Sequence, residues 1–381
     1  MSGSLGCASL SDGAGDPGVM EGIAMIDALI GSLMLGWETL AGYLQEHVLT
    51  CLVPAFFIAG AIAIFIKKEA ILKYFSPDSP KPVAYGLASV SGTVLAVCSC
   101  TILPMFAGLF KRGSGIGPAT TFLYAGPAIN ILAIVYTAKV LGFDLGIARA
   151  VFAIGMSILI GLIMAMLFRS YDTETKEKMK LMPSVPAGER PERPGWAVPL
   201  FFVLLVGILV TATARVDWMI KFPIIYAMTL VVAYLLVYFF ERDEVTEWGY
   251  ETWDLTKKIF PILIIGTFFL GMLAFFLPPE SFRPFFGNNS ILSTLLAAIV
   301  GTILYMPTLL EVPVIGTTFG YTTGVMAGGP ALSLLLSGPS VSLPSLLVLS
   351  RIMGAKKTVT YAILVIAFSA LAGFAYGVFL G

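Results

Sequence analysis

The chain has 381 residues, 57% of them hydrophobic and only 12% charged, about half the ~25% of charge that a soluble globular chain carries. That composition excludes a soluble domain and makes lipid the solvent for most of the chain. Twenty-three basic and 23 acidic residues cancel, so no basic footprint points to nucleic acid.

Residues 1–21 are polar, rich in Gly and Ser and free of Lys and Arg. They lack the basic start and apolar core of a cleavable signal peptide, and the expectation is a disordered extension. Residues 22–47 carry Asp27, Glu38, Glu46 and His47 among apolar positions, the pattern of an interfacial amphipathic helix. Eight segments then offer roughly the 20 apolar residues that cross a bilayer as a helix: 48–66, 117–138, 147–168, 196–214, 222–240, 259–277, 329–350 and 358–380. Residues 84–110 and 290–320 are ambiguous, because each could cross the membrane or dip in and return.

Lys and Arg choose between the two, since cytoplasmic loops collect them. Ten crossings put 12 on one side and 11 on the other, which is no bias. With two re-entrant segments, loops 67–81, 111–116, 169–195, 241–258 and 351–357 share a face and hold 18, leaving Lys139, Arg149, Arg215, Lys221 and Arg283 opposite. The expected architecture is therefore an all-α, multi-pass protein of the cell membrane, with about eight transmembrane helices, two broken helical hairpins and both termini outside. Its parts are a first membrane repeat (22–170), a cytoplasmic loop (171–195), a linking helix pair (196–240) and a second repeat (241–381).

The repeat is visible in the residues. Gly92-Thr-Val-Leu-Ala-Val-Cys98-Ser-Cys100-Thr-Ile-Leu-Pro104 returns, altered, as Gly301-Thr-Ile-Leu-Tyr-Met-Pro307-Thr-Leu-Leu-Glu311-Val-Pro313. The block Gly117 to Asn130, containing Gly126-Pro127, returns as Gly329 to Ser342, containing Gly338-Pro339. An odd number of crossings separates segments 48–66 and 259–277, so the halves face opposite ways. Inverted repeats interrupted at matched Gly and Pro point to a transporter's midplane site.

Each Pro inside a helix removes its own N–H and frees the carbonyl four residues earlier. Pro104, Pro127, Pro307, Pro313 and Pro339 would thus expose backbone oxygens, which membrane depth tolerates only within protein or beside a water-filled cavity; plain helix kinks are the alternative. Cys98, Ser99 and Cys100 form the most chemical motif. In an intact helix residues two apart point to nearly opposite sides, whereas in a broken tip two soft thiolates can share a metalloid. The competing reading is small residues packed at a helix crossing. Glu311 is an acid among apolar residues, costly at membrane depth and a candidate for solute binding or for proton or ion coupling, against a structural hydrogen bond to freed backbone. Asn130, matched by Ser342, either lines the same cavity or bonds between helices; Thr101, Thr308, Thr317, Thr318 and Tyr321 are further polar candidates. One histidine, His47, excludes a Ser-His-Asp arrangement. Four cysteines are too few for a disulfide framework, and Gly113 to Gly117 follows no strand, so it does not read as a phosphate loop. Nothing calls for a cofactor or an enzymatic activity.

At Val97-Cys-Ser-Cys-Thr-Ile-Leu-Pro104 and Phe122-Leu-Tyr-Ala-Gly-Pro-Ala-Ile-Asn130 the chain resembles the ArsP-like predicted permease family, over roughly residues 45–380. That family includes efflux permeases for trivalent organoarsenicals such as methylarsenite. The resemblance implies an integral membrane protein with thiol ligands at Cys98 and Cys100. Many members carry a Cys-Gly type sequence in the second hairpin, where this chain has Pro307 to Pro313 with Glu311. The expectation is a permease exporting a small solute by alternating access, with trivalent organoarsenicals or another thiol-reactive or sulfur-containing compound as candidates. Its partners would be the bilayer and the solute, with a homo-oligomer left open. A membrane thiol-redox protein using Cys98 and Cys100 is the alternative, weakened because thiols one residue apart close a strained ring.

Overall fold

The structure is a computed structural model that describes residues 17–45, 52–65, 80–94, 99–111, 113–181, 194–213, 217–276, 284–304 and 308–380. Regular structure among them is entirely helical. In chain order the helices are α1 (Pro17–Tyr43), α2 (Val53–Phe65), α3 (Lys81–Val94), α4 (Ser99–Lys111), α5 (Ile116–Ala128), α6 (Ile131–Val140), α7 (Phe143–Leu167), α8 (Arg169–Leu181), α9 (Ala197–Thr213) and α10 (Trp218–Phe239). They continue with α11 (Arg242–Phe276), α12 (Ile291–Ile303), α13 (Thr308–Pro313), a π-helical turn (Val314–Thr318), α14 (Gly328–Ser337), α15 (Leu343–Met353) and α16 (Ala355–Phe379).

Among the described residues, three helices are long and apolar enough to cross a bilayer alone: α7, most of α10 (Met219–Phe239) and α16. Segments expected as single spans at 117–138 and 329–350 are instead broken pairs, α5 with α6 and α14 with α15. Pro127 lies two residues before the first break at Ile129, and Gly338-Pro339 begins the second. Of the ambiguous segments, 290–320 is not one rod: α12 stops at Ile303, where Leu304 turns extended (φ −77°, ψ 107°), and α13 starts at Thr308. In 84–110, α3 and α4 flank residues 95–98, which lie outside the described residues. Pro104 sits inside α4 and does not end it. Pro313 stands where the α-helix widens into the π turn, and the Thr317 hydroxyl donates to its carbonyl at 2.7 Å.

Two expectations need correction. The N-terminal helix starts at Pro17, inside the stretch read as a disordered extension; residues 1–16 lie outside the described residues. Nor is α1 only a surface helix. It runs antiparallel along the apolar half of α11, with Gly31 against Phe275 and Gly36 against Met272 and Phe268. Ile26, Leu29, Ile30, Leu33, Met34 and Trp37 are left exposed, as they would be facing lipid. The reason is small residues: glycines let two backbones approach where no hydrophobic drive separates helix from lipid. The first, charged half of α11 packs on α2 instead, through Trp248 and Thr252.

Packing then repeats between the halves. Helix α5 lies between α3 and α7, as α14 lies between α12 and α16. Gly117 of α5 meets Gly161 of α7 so closely that an added Cβ would come within 3.0 Å of a backbone oxygen; Gly329 and Gly373, each 212 residues later, meet the same way at 2.8 and 2.4 Å. Helices α7 and α16 both follow a glycine at positive φ, Gly142 (116°) and Gly354 (88°), again 212 residues apart. The exposed N–H groups of α5 and α14 are each met by a distant side chain: Ile116 N–H donates to Asp172 Oδ1, and Gly329 N–H to Asn289 Oδ1, both at 2.9 Å. The halves also cross over, α4 packing on α15 and α13 on α6.

Candidate functional site

Where α13 crosses α6, the structure buries two opposite charges. Arg149, on the second turn of α7, and Glu311, on α13, are both 0% exposed. Arg149 Nη2 lies 3.5 Å from Glu311 Oε2, and Nη1 donates to Thr137 Oγ1 of α6 at 2.9 Å. Thr137 is itself held by donating to the Ala133 carbonyl at 2.7 Å. The positions follow from local structure. Gly142 turns the chain so that α7 starts beside the end of α6, and Leu304 breaks the preceding helix so that α13 comes in as a separate piece.

The pair touches at one N···O contact only. Arg149 Nε and Glu311 Oε1 have no hydrogen-bond partner among the described residues. Oε1 lies against the break between α14 and α15, where a Cβ on Gly338 would come within 2.7 Å of it. Two ions taken out of water lose several kcal/mol each, and a single contact recovers that poorly. Such a pair is a reactive arrangement for binding, since each ion has an unused donor or acceptor.

The same break also exposes backbone. Ser340 N–H bonds to Ser337 C=O at 3.2 Å and so leaves the Leu336 carbonyl without its helical partner. Tyr124 Oη of α5 and Ser340 Oγ both donate to that carbonyl at 3.2 Å. Tyr124 and Leu336 are themselves 212 residues apart, so this bond joins equivalent positions of the two halves.

A family model described as a predicted permease (ArsP_1) matches residues 34–378. The chain belongs to this permease family. It is 40% identical over 355 residues to UPF0718 protein MJ0584 of Methanocaldococcus jannaschii, covering 90% of this chain and 95% of that protein. It is 24% identical over 300 residues to UPF0718 protein YraQ of Escherichia coli K12, covering 78% of this chain and 68% of that one. No solved structure matches it.

Of the permease residues singled out by sequence, Glu311 is in the buried pair, and Thr101 is fully buried in α4. Pro104 is buried in the same helix. Cys98 and Pro307 lie outside the described residues; Ser99 and Cys100 open α4 and Thr308 opens α13, with side chains likewise outside them. Asn130 stands in the α5–α6 break, its carbonyl accepting from Ile134 N–H at 2.9 Å. Its counterpart Ser342 caps α15 by accepting from Ser345 N–H at 3.4 Å. Thr317 is exposed, and Thr318 and Tyr321 are half-buried. Among the described residues, no group of three or more His, Cys, Asp or Glu could hold a metal ion.

Sequence reasoning missed Arg149, which it counted among loop charges opposite the cytoplasm. Six residues into a 25-residue helix, an Arg reads as one whose long side chain reaches the interface, but this one is buried. Tyr361 was missed as well. It is 0% exposed, its hydroxyl has no partner among the described residues, and it stands 212 residues after Arg149. The repeat itself was the available signal: aligned residue by residue, it sets Arg149 and Tyr361 as the polar counterparts on the paired helices α7 and α16.

Proposed function

We propose that this permease is a secondary transporter that exports a small solute by alternating access, the solute being held where the interrupted helices of two inverted repeats converge. The observation that carries the reading is the Arg149–Glu311 pair, which joins a helix of the first half to an interrupted helix of the second at full burial. An ionisable group inside a membrane protein is retained for function, and a link between halves is what rocking of one repeat against the other would make and break.

Several contacts support the inverted arrangement. Helix α5 starts beside Asp172, just past the end of α7, where Lys357 at the start of α16 also lies 3.9 Å over the Tyr171 ring. Helix α14 starts beside Gly373 and near Asn289, which donates to Gly377 C=O at the far end of α16. Equivalent helices therefore set out from opposite ends of the α7–α16 pair. Re-entry of the second hairpin is supported by Ala327 N–H donating to Phe286 C=O at 2.8 Å, which brings the chain back to where it left before α12. For the first hairpin, Tyr85 near the start of α3 lies against Gly117, shortly after α4 ends at Lys111.

Trivalent organoarsenicals are the proposed solute, with Cys98 and Cys100 as soft ligands and Glu311 as the coupling group. The test is resistance to methylarsenite in an arsenic-sensitive host. Wild type should confer it, and Cys98→Ser or Cys100→Ser should abolish it at equal expression. Resistance unchanged in the double Cys variant would remove the thiol mechanism, and no resistance from wild type would remove the solute.

A further inference from the structure

We infer that Arg149 is a solute-binding residue, and that with Glu311 it selects uncharged, hydroxyl-bearing oxyacids. The inference rests on the permease reading and deepens it, because it concerns recognition of the solute's oxygens where the thiols would recognise its central atom.

Three observations lead there. First, the two ions cancel at a fully buried position. A bare anion or cation entering would leave a net charge out of water, whereas a neutral solute would not. Second, the unused groups are complementary: Arg149 Nε–H can only donate, and Glu311 Oε1, ionised, can only accept. A solute offering both an O–H and an oxygen lone pair satisfies both at once, which an alkane, a halide or an ammonium ion cannot. Third, the carboxylate oxygen lies against the Gly338 break, so closely that a Cβ there would come within 2.7 Å of it. Thr137 anchors Nη1 and Glu311 meets Nη2, so the guanidinium is held with Nε–H and one N–H on each Nη still unused. Tyr124, Tyr361, Thr137 and Ser340 are uncharged polar side chains buried beside the pair, and the charged Lys139 of α6, Asp144 of α7 and Arg351 of α15 are exposed. A solute in its anionic form would need to arrive with one proton, taken by Glu311, so the same site passes a weak acid as a neutral sum.

Boric acid isolates this recognition, since it carries three hydroxyls, is uncharged at neutral pH and forms no stable bond with thiols. Purified full-length protein should unfold at a higher temperature with boric acid, because a ligand bound only by the folded state stabilises it. Equimolar sodium chloride should give no such rise. Arg149→Lys keeps the charge opposite Glu311 but has no Nε, and should weaken the apparent boric acid affinity at least tenfold. Arg149→Gln/Glu311→Gln, which removes both charges together, should lose the response. The inference is overturned if boric acid gives no shift, if chloride gives an equal one, or if Arg149→Lys responds as wild type does. These outcomes are independent of methylarsenite resistance, so failure of the arsenical assignment and failure of this one are distinguishable.

Discussion

At the scale of residues, the pair of buried charges sets the sharpest stability expectation. Arg149→Gln alone leaves Glu311 buried and unpaired, which should cost about 3–5 kcal/mol, while adding Glu311→Gln should restore much of that loss. Thermal unfolding of the two variants in detergent measures the difference; a double variant no more stable than the single one would show that the ions do not compensate each other. Glu311 was legible as a functional candidate because an acid stands out in an apolar run. Its partner was not, because nothing in the order of residues says that α7 and α13, 162 residues apart at this contact, come together. Partner choice is a property of tertiary packing. The prolines of the matched breaks were readable in advance, but whether they kink or end a helix was not: Pro127 is carried inside α5, whereas Gly338-Pro339 begins the break after α14.

At the scale of elements, glycines set how closely helices approach. Gly373→Ala places a Cβ 2.4 Å from the Gly329 carbonyl, backbone that cannot swing aside, and should destabilise by about 1–3 kcal/mol through overpacking. Gly155→Ala, on the equivalent helix α7 with nothing within 4 Å, should instead stabilise by about 0.5–1 kcal/mol. Yields of monodisperse protein after extraction and heating should separate the two, and similar behaviour would contradict the packing. Helix identity was legible from apolar runs, and helix length less so. The charges of residues 241–258 suggested a loop, yet from Arg242 they continue into the apolar segment as one helix of 35 residues. No Gly-Pro interruption lies between them to stop it, and Pro261 is carried within the helix.

At the scale of the whole molecule, each half offers the other a different surface. The first repeated motif carries Cys98, Ser99 and Cys100 where the second carries Pro307, Thr308 and Leu309, with Glu311 two residues on. The α7 position filled by Arg149 is filled on α16 by Tyr361. Duplication thus gives the frame, and divergence gives one half thiols and the other an ion pair bridged back to its neighbour. Charge bias suggested that loops 113 and 325 lie on opposite faces of the membrane. The direct measurement is labelling of Gly113→Cys and Val325→Cys, in a background with Cys7, Cys51, Cys98 and Cys100 replaced by Ser, using a membrane-impermeant thiol reagent applied from each side. Position 113 should react only from the cytoplasm and position 325 only from outside. Reaction of both from the same side would contradict the inverted halves and with them the shared site between them.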